Sequence, residues 1–130
     1  MTYTIEKVTT LIGARRYGDN DTNIGFILTD SRSLCFPEET LFFALKSERN
    51  DGHNYIPELY RRGVKNFVVT NVPKGYASDY PGANFLKVVN TLEALQRLAE
   101  RHRDEFNIPI VGITGSNGNK KLGWHHSFCH

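Results

Sequence analysis

"TLFFALKSERNDGHNYIPELYRRGVKNFVVT", residues 40–70, decides the architecture. It opens with an apolar run, residues 40–46, rich in Phe and Leu and of strand length. A polar stretch follows and opens a helix expected over residues 54–62, with Ile56, Leu59 and Tyr60 on its buried face. Pro57 fits that helix because it falls in the first turn, where its missing N–H has no intrahelical partner. Gly63 is the expected stop, and "KNFVVT", residues 65–70, is the next strand. A strand, a helix and a second strand in succession imply parallel pairing.

The flanks extend the same alternation. Upstream, Ile5, Val8, Leu11 and Ile12 share one helical face, with Thr4 as cap and Gly13 as stop. The turn-rich Gly18-Asp19-Asn20-Asp21 leads into residues 24–29, expected as one buried strand ending in a polar loop. Downstream, residues 73–82 read as an exposed loop and "NFLKVV" as a strand. "TLEALQRLAERHRDEF" follows as the clearest helix. Leu92, Leu95, Leu98, Ala99, His102 and Phe106 form its apolar stripe, and Asn90 with Glu93 resembles a capping box. "IPIVGIT" is a last strand. The fold expected is α/β: one three-layer-type domain with a mixed, partly parallel sheet over residues 1–107. Asn107-Ile108-Pro109 marks a seam before the start of another unit.

Composition excludes several classes. The 130 residues are 39% hydrophobic and 23% charged, ordinary for a globular protein. Sixteen basic and fourteen acidic residues give a net charge of +2, too balanced for a nucleic-acid or membrane footprint. No apolar run approaches the roughly 20 residues of a spanning helix, so membrane insertion is not expected and the cytoplasm is. Cys35 and Cys129 lie in unlike contexts, so no disulfide framework is expected.

The last strand runs into Thr114-Gly115-Ser116-Asn117-Gly118, a turn whose glycines let successive N–H groups converge on a phosphate. The common phosphate loop continues with a Lys, which neutralises the β/γ-phosphates, and a hydroxyl residue that holds Mg²⁺. Here Asn119, Lys120 and Lys121 follow. Lys120 can take the Lys role in one register, but neither register keeps the magnesium ligand, so the loop reads as defective.

Three stretches in order, "TDSRS" (29–33), "TLFFALKSERNDGHNYI" (40–56) and "GITGSNG" (112–118), resemble the Mur ligase family. These ATP-dependent enzymes add amino acids to the peptidoglycan precursor. The resemblance covers residues 4–118 and is nearest the MurF type, which joins D-alanyl-D-alanine to UDP-N-acetylmuramoyl-tripeptide and is fused in one lineage to alanine racemase. The MurE type shares the same first-domain motifs and stands as the alternative.

The resemblance implies that residues 1–107 grip the UDP end of a UDP-N-acetylmuramoyl-peptide. Residues 108–118 would be the first strand and phosphate loop of a truncated central ATPase domain. Ser31 and Arg32 would face the diphosphate, with Asp30 orienting their loop. Ala44 and Lys46 would line the pocket, and Asp51, Gly52 and His53 would sit at a helix N-terminus that favours an anion. ATP and Mg²⁺ are implied for the full-length enzyme and neither for this chain, which is expected to be inactive as a ligase.

The family pattern breaks directly after Gly118, so residues 119–130 read as an aberrant tail from a shifted reading frame or altered gene end. Its His125, His126, Cys129 and His130 match no common zinc spacing, and no metal site is expected. Two other readings compete: an autonomous nucleotide hydrolase using Lys120, and an interaction module that kept the fold and lost the substrate.

Overall fold

A computed structural model describes residues 3–102 and 110–111. Its centre is a six-stranded mixed sheet in the order β2-β7-β6-β5-β4-β8. Strands β4 (Phe26–Leu28), β5 (Thr40–Phe43), β6 (Asn66–Val69) and β7 (Asn84–Lys87) run parallel, each beside the next. β2 (Arg15–Tyr17) adds antiparallel to β7, and β8 (Ile110–Val111) adds parallel to β4. A separate two-stranded sheet pairs β1 (Tyr3–Thr4) with β3 (Asn23–Ile24).

Residue alternation divides the core into two layers, because successive side chains on a strand point to opposite faces. Ile27, Leu41, Phe43, Val68 and Leu86 face one side, where α1 (Ile5–Ile12) and α4 (Thr91–His102) cover them. Leu28, Phe42, Phe67, Val69 and Phe85 face the other, covered by α2 (Ile56–Arg61). Helices on both faces make this the three-layer α/β domain that the alternation implied. Each fully buried Leu or Phe contributes about 1.5–3 kcal/mol, so the two clusters dominate the stabilisation.

Local chemistry fixes the helix ends. Thr4 accepts from the Lys7 amide, and Gly13 closes α1 in the left-handed region at φ 66°. Pro57 lies in the first turn of α2. The Asn90 carboxamide accepts from the Glu93 amide at 2.9 Å and so caps α4. The buried Thr91 hydroxyl reaches across to the Ala44 carbonyl at 3.0 Å, tying α4 to the end of β5.

Several expectations are corrected. Residues 24–29 are two strands, broken at Gly25, whose amide turns to the Glu39 carbonyl and lets the chain change sheets. The second apolar run leaves the ladder after Phe43. The loop at 73–82 contains a short helix, α3 (Tyr76–Asp79). Leu92 is 52% exposed, and the packed stripe of α4 is instead Thr91, Ala94, Leu95, Leu98 and Ala99. His102's side chain, Phe106 and the seam at 107–109 lie outside the described residues, as do the phosphate-loop residues 114–118, Lys120 and the tail.

The amino end of the sheet is sealed by polar groups. Asn66 and Asn84, both fully buried, begin β6 and β7 and bond to each other at 2.9 Å. Asn66 also accepts from the Thr22 hydroxyl at 2.9 Å, and Asn84 donates to the Asn20 carbonyl at 2.6 Å. These bonds fasten the 20–22 segment beneath the sheet and leave the carboxyl end of the strands as the open rim.

Candidate binding site at the carboxyl end of the sheet

The strand order reverses at β4, since β5, β6 and β7 lie on one side of it and β8 on the other. In open parallel sheets such a reversal makes a crevice outside the carboxyl ends of the strands, where ligands bind. The loop leaving β4 there is Asp30 to Ser33. The loop leaving β5 carries Lys46 and Asp51 to His53. Both sequence-marked segments therefore arrive at one rim.

Each loop folds on the same device. Asp30 caps the 3-10 turn Ser31–Ser33: its Oδ1 accepts from the Arg32 amide at 2.9 Å, and its carboxylate takes the Arg32 guanidinium at 3.1 and 2.9 Å. Asp51 caps the 3-10 turn Gly52–Tyr55, with its Oδ1 accepting from the His53 amide at 3.0 Å and from His53 Nδ1 at 2.7 Å. In both, an aspartate binds the amide and the side chain of the residue two positions on. Arg32's hydrogen bonds hold the Asp30 carboxyl below the usual carboxylate range, and the His53 amide does the same for Asp51.

His53 is more constrained than an open ligand contact. The Thr70 amide, at the carboxyl end of β6, donates to His53 Nε2 at 3.1 Å. Nε2 is thus an acceptor, which leaves Nδ1 to carry the proton donated to Asp51. Both ring nitrogens are engaged, and His53 joins the second turn to β6. Gly52 explains itself by space: a Cβ there would lie 2.8 Å from Ala44 Cα and 2.8 Å from the Leu45 nitrogen. Its amide bonds the Leu45 carbonyl at 2.7 Å. Ala44 is fully buried, with its backbone packed against Gly52, while Lys46 is exposed.

The groups left open are few. Arg32 is 84% exposed, and its outer N–H edge faces solvent beyond the Asp30 pair. The half-buried Ser31 makes no side-chain hydrogen bond among the described residues. The Thr29 hydroxyl, directly before Asp30, is buried without a hydrogen-bond partner among the described residues. Sequence reasoning did not assign roles to Thr29, Thr70 or Arg62, whose Nη1 donates to the Ser31 carbonyl at 3.2 Å. Thr70 was findable from its place at the end of a parallel strand; Arg62 carries no such signal. No group of three His, Cys, Asp or Glu that could hold a metal occurs among the described residues. None of the described helices is long and apolar enough to cross a membrane.

The profile described as "Mur ligase family, catalytic domain" matches residues 23–103, which include both capped turns. The chain belongs to the Mur ligase family. A UDP-N-acetylmuramoyl-tripeptide--D-alanyl-D-alanine ligase of Synechocystis is 41% identical over 98 residues, spanning 75% of this chain and 20% of the relative. The Bacillus subtilis protein of the same name is 36% identical over 101 residues, with 75% and 20% covered. A solved structure of an Acinetobacter baumannii ligase for D-alanyl-D-alanine superposes with a TM-score of 0.66 at 26% identity. That match covers 93% of this chain and 26% of the other. The Mur ligase chain described here therefore spans about a fifth of the length of the curated relatives it matches.

Proposed function

We propose that this chain is the portion of a peptidoglycan-precursor ligase that holds the UDP end of UDP-N-acetylmuramoyl-tripeptide, the acceptor of D-alanyl-D-alanine. The observation carrying this reading is the pair of aspartate-capped turns at the carboxyl ends of adjacent parallel strands, in a chain similar to ligases named for that substrate. Asp30 presets the Arg32 guanidinium, whose remaining N–H groups offer charge-assisted bonds to a diphosphate. Ser31 supplies a hydroxyl from the same turn, and Lys46 a mobile positive charge from the next. Asp51, Gly52 and His53 hold the second turn against β5 and β6, so that the two loops keep a fixed spacing.

Binding, not turnover, is the role assigned to these 130 residues. In this reading, joining D-alanyl-D-alanine with ATP and Mg²⁺ calls for a longer chain, of the length of the ligases this one matches over about a fifth of their sequence. In this reading residues 1–107 would grip the precursor and residues 108–118 would lead into an ATP-binding domain.

The test is an amide NMR titration of the chain with UDP-N-acetylmuramoyl-tripeptide, and separately with ATP. Shifts at Asp30 to Arg32, Lys46 and Asp51 to His53 with the precursor alone would support the reading. Shifts confined to Gly115 through Lys120 with ATP, and none with the precursor, would replace it with a nucleotide-binding role.

A further inference from the structure

Helix α2 ends at Arg61 and is capped by Arg62, both outside every motif that marks the site. Arg62 is fixed at its backbone, where its amide donates to the Glu58 and Leu59 carbonyls at 3.1 and 3.0 Å. Its side chain then crosses to the first turn and donates from Nη1 to the Ser31 carbonyl at 3.2 Å. The nearest carboxylate, Glu58, stands 3.8 Å away, and both side chains are about half exposed. That contact is loose and well solvated, so it compensates little of the Arg62 charge.

The two guanidinium groups at this turn are in different states. Arg32 is closed on Asp30 by a two-point carboxylate pair. Arg62 is bonded to a neutral carbonyl and keeps its charge available.

We infer that Arg62 is a positioning residue for the diphosphate: it orients the Ser31–Arg32 peptide and supplies the second positive charge at the turn. This rests on the reading of the turn as the UDP-binding element. It adds a residue from a different helix, so ligand affinity depends on how α2 sits against the turn.

The experiment titrates UDP and uridine separately into the isotope-labelled 130-residue chain, as wild type, Arg62→Met, Arg62→Lys and Ser31→Ala. Arg62→Met is expected to weaken UDP binding about three- to tenfold, the scale of a partly exposed charge-assisted contact, and to leave uridine unchanged. The Ser31, Arg32 and Ser33 amides should already be shifted in the free variant. Arg62→Lys should recover much of the UDP affinity by restoring the charge.

Equal losses for UDP and uridine would mark a merely structural effect and overturn the inference, as would an unchanged UDP affinity in Arg62→Met. Failure of the underlying site reading looks different. In that case wild type shows no UDP shifts at the turn, or Ser31→Ala changes nothing, and the inference falls with it.

Discussion

Asp51 and Asp30 show how much a single carboxylate organises. Replacing Asp51 by Ala removes a turn cap and the partner of His53 Nδ1, and should cost about 1–2 kcal/mol in urea unfolding. Asp51→Asn keeps an acceptor for the His53 amide and should cost less; equal losses would show that the cap is unimportant. Both carboxyls titrate below their ordinary value in the folded state, so their stabilisation is complete above about pH 4. It is lost as pH falls through the lowered values. Asp51→Asn should therefore flatten the acid limb of stability below about pH 4 while leaving its slope near neutrality alone. Gly52→Ala drives a methyl into the backbone of Ala44 and Leu45 and should destabilise by about 1–3 kcal/mol or more. A near-neutral result in thermal unfolding would mean that the two segments separate easily. At this scale the aspartates and Gly52 were legible as a motif. The engagement of both His53 nitrogens was not, because Thr70 reaches it from a strand remote in sequence.

Helix α4 separates what periodicity can tell from what packing decides. Its existence, its Asn90 cap and the burial of Leu95 and Leu98 all followed from spacing. Leu92 did not, because the first turn rotates Thr91 inward to reach the Ala44 carbonyl and carries Leu92 out. Leu98→Ala should cost about 2–5 kcal/mol, whereas Leu92→Ala should change stability by less than about 1 kcal/mol. Denaturant midpoints of the two variants decide it, and similar losses would restore Leu92 to the core. Strand β2 was missed because Arg15-Arg16-Tyr17 has no apolar alternation. It is an edge strand held by β7, with Arg15 exposed and Arg16 mostly buried on polar partners, Asp21 and Asn84, so no apolar core selects its residues.

Over the whole molecule, the α/β class and two-sided burial were readable because β4 to β7 alternate so cleanly between the helical layers. The position of β8 was not, since pairing on the far side of β4 is a long-range choice that two residues cannot encode. The central ladders β5 and β6 are buried on both faces and flanked by neighbours. The amides of Phe42, Phe43, Phe67 and Val68 should accordingly exchange with solvent only through global unfolding. Native-state hydrogen exchange would test this, and faster exchange there than in β2 would refute it.

The seat of β8 has a bearing on solubility. By pairing Ile27 with Ile110 and Leu28 with Val111, it covers the outer rim of β4, while the exposed Arg15 puts a charge on the opposite rim. A version ending at residue 109 would present bare amides and carbonyls along β4, a template onto which a second molecule can zip. Such a version should form oligomers whose size grows with concentration in light scattering, and adding Lys on β4's outer flank should disperse them.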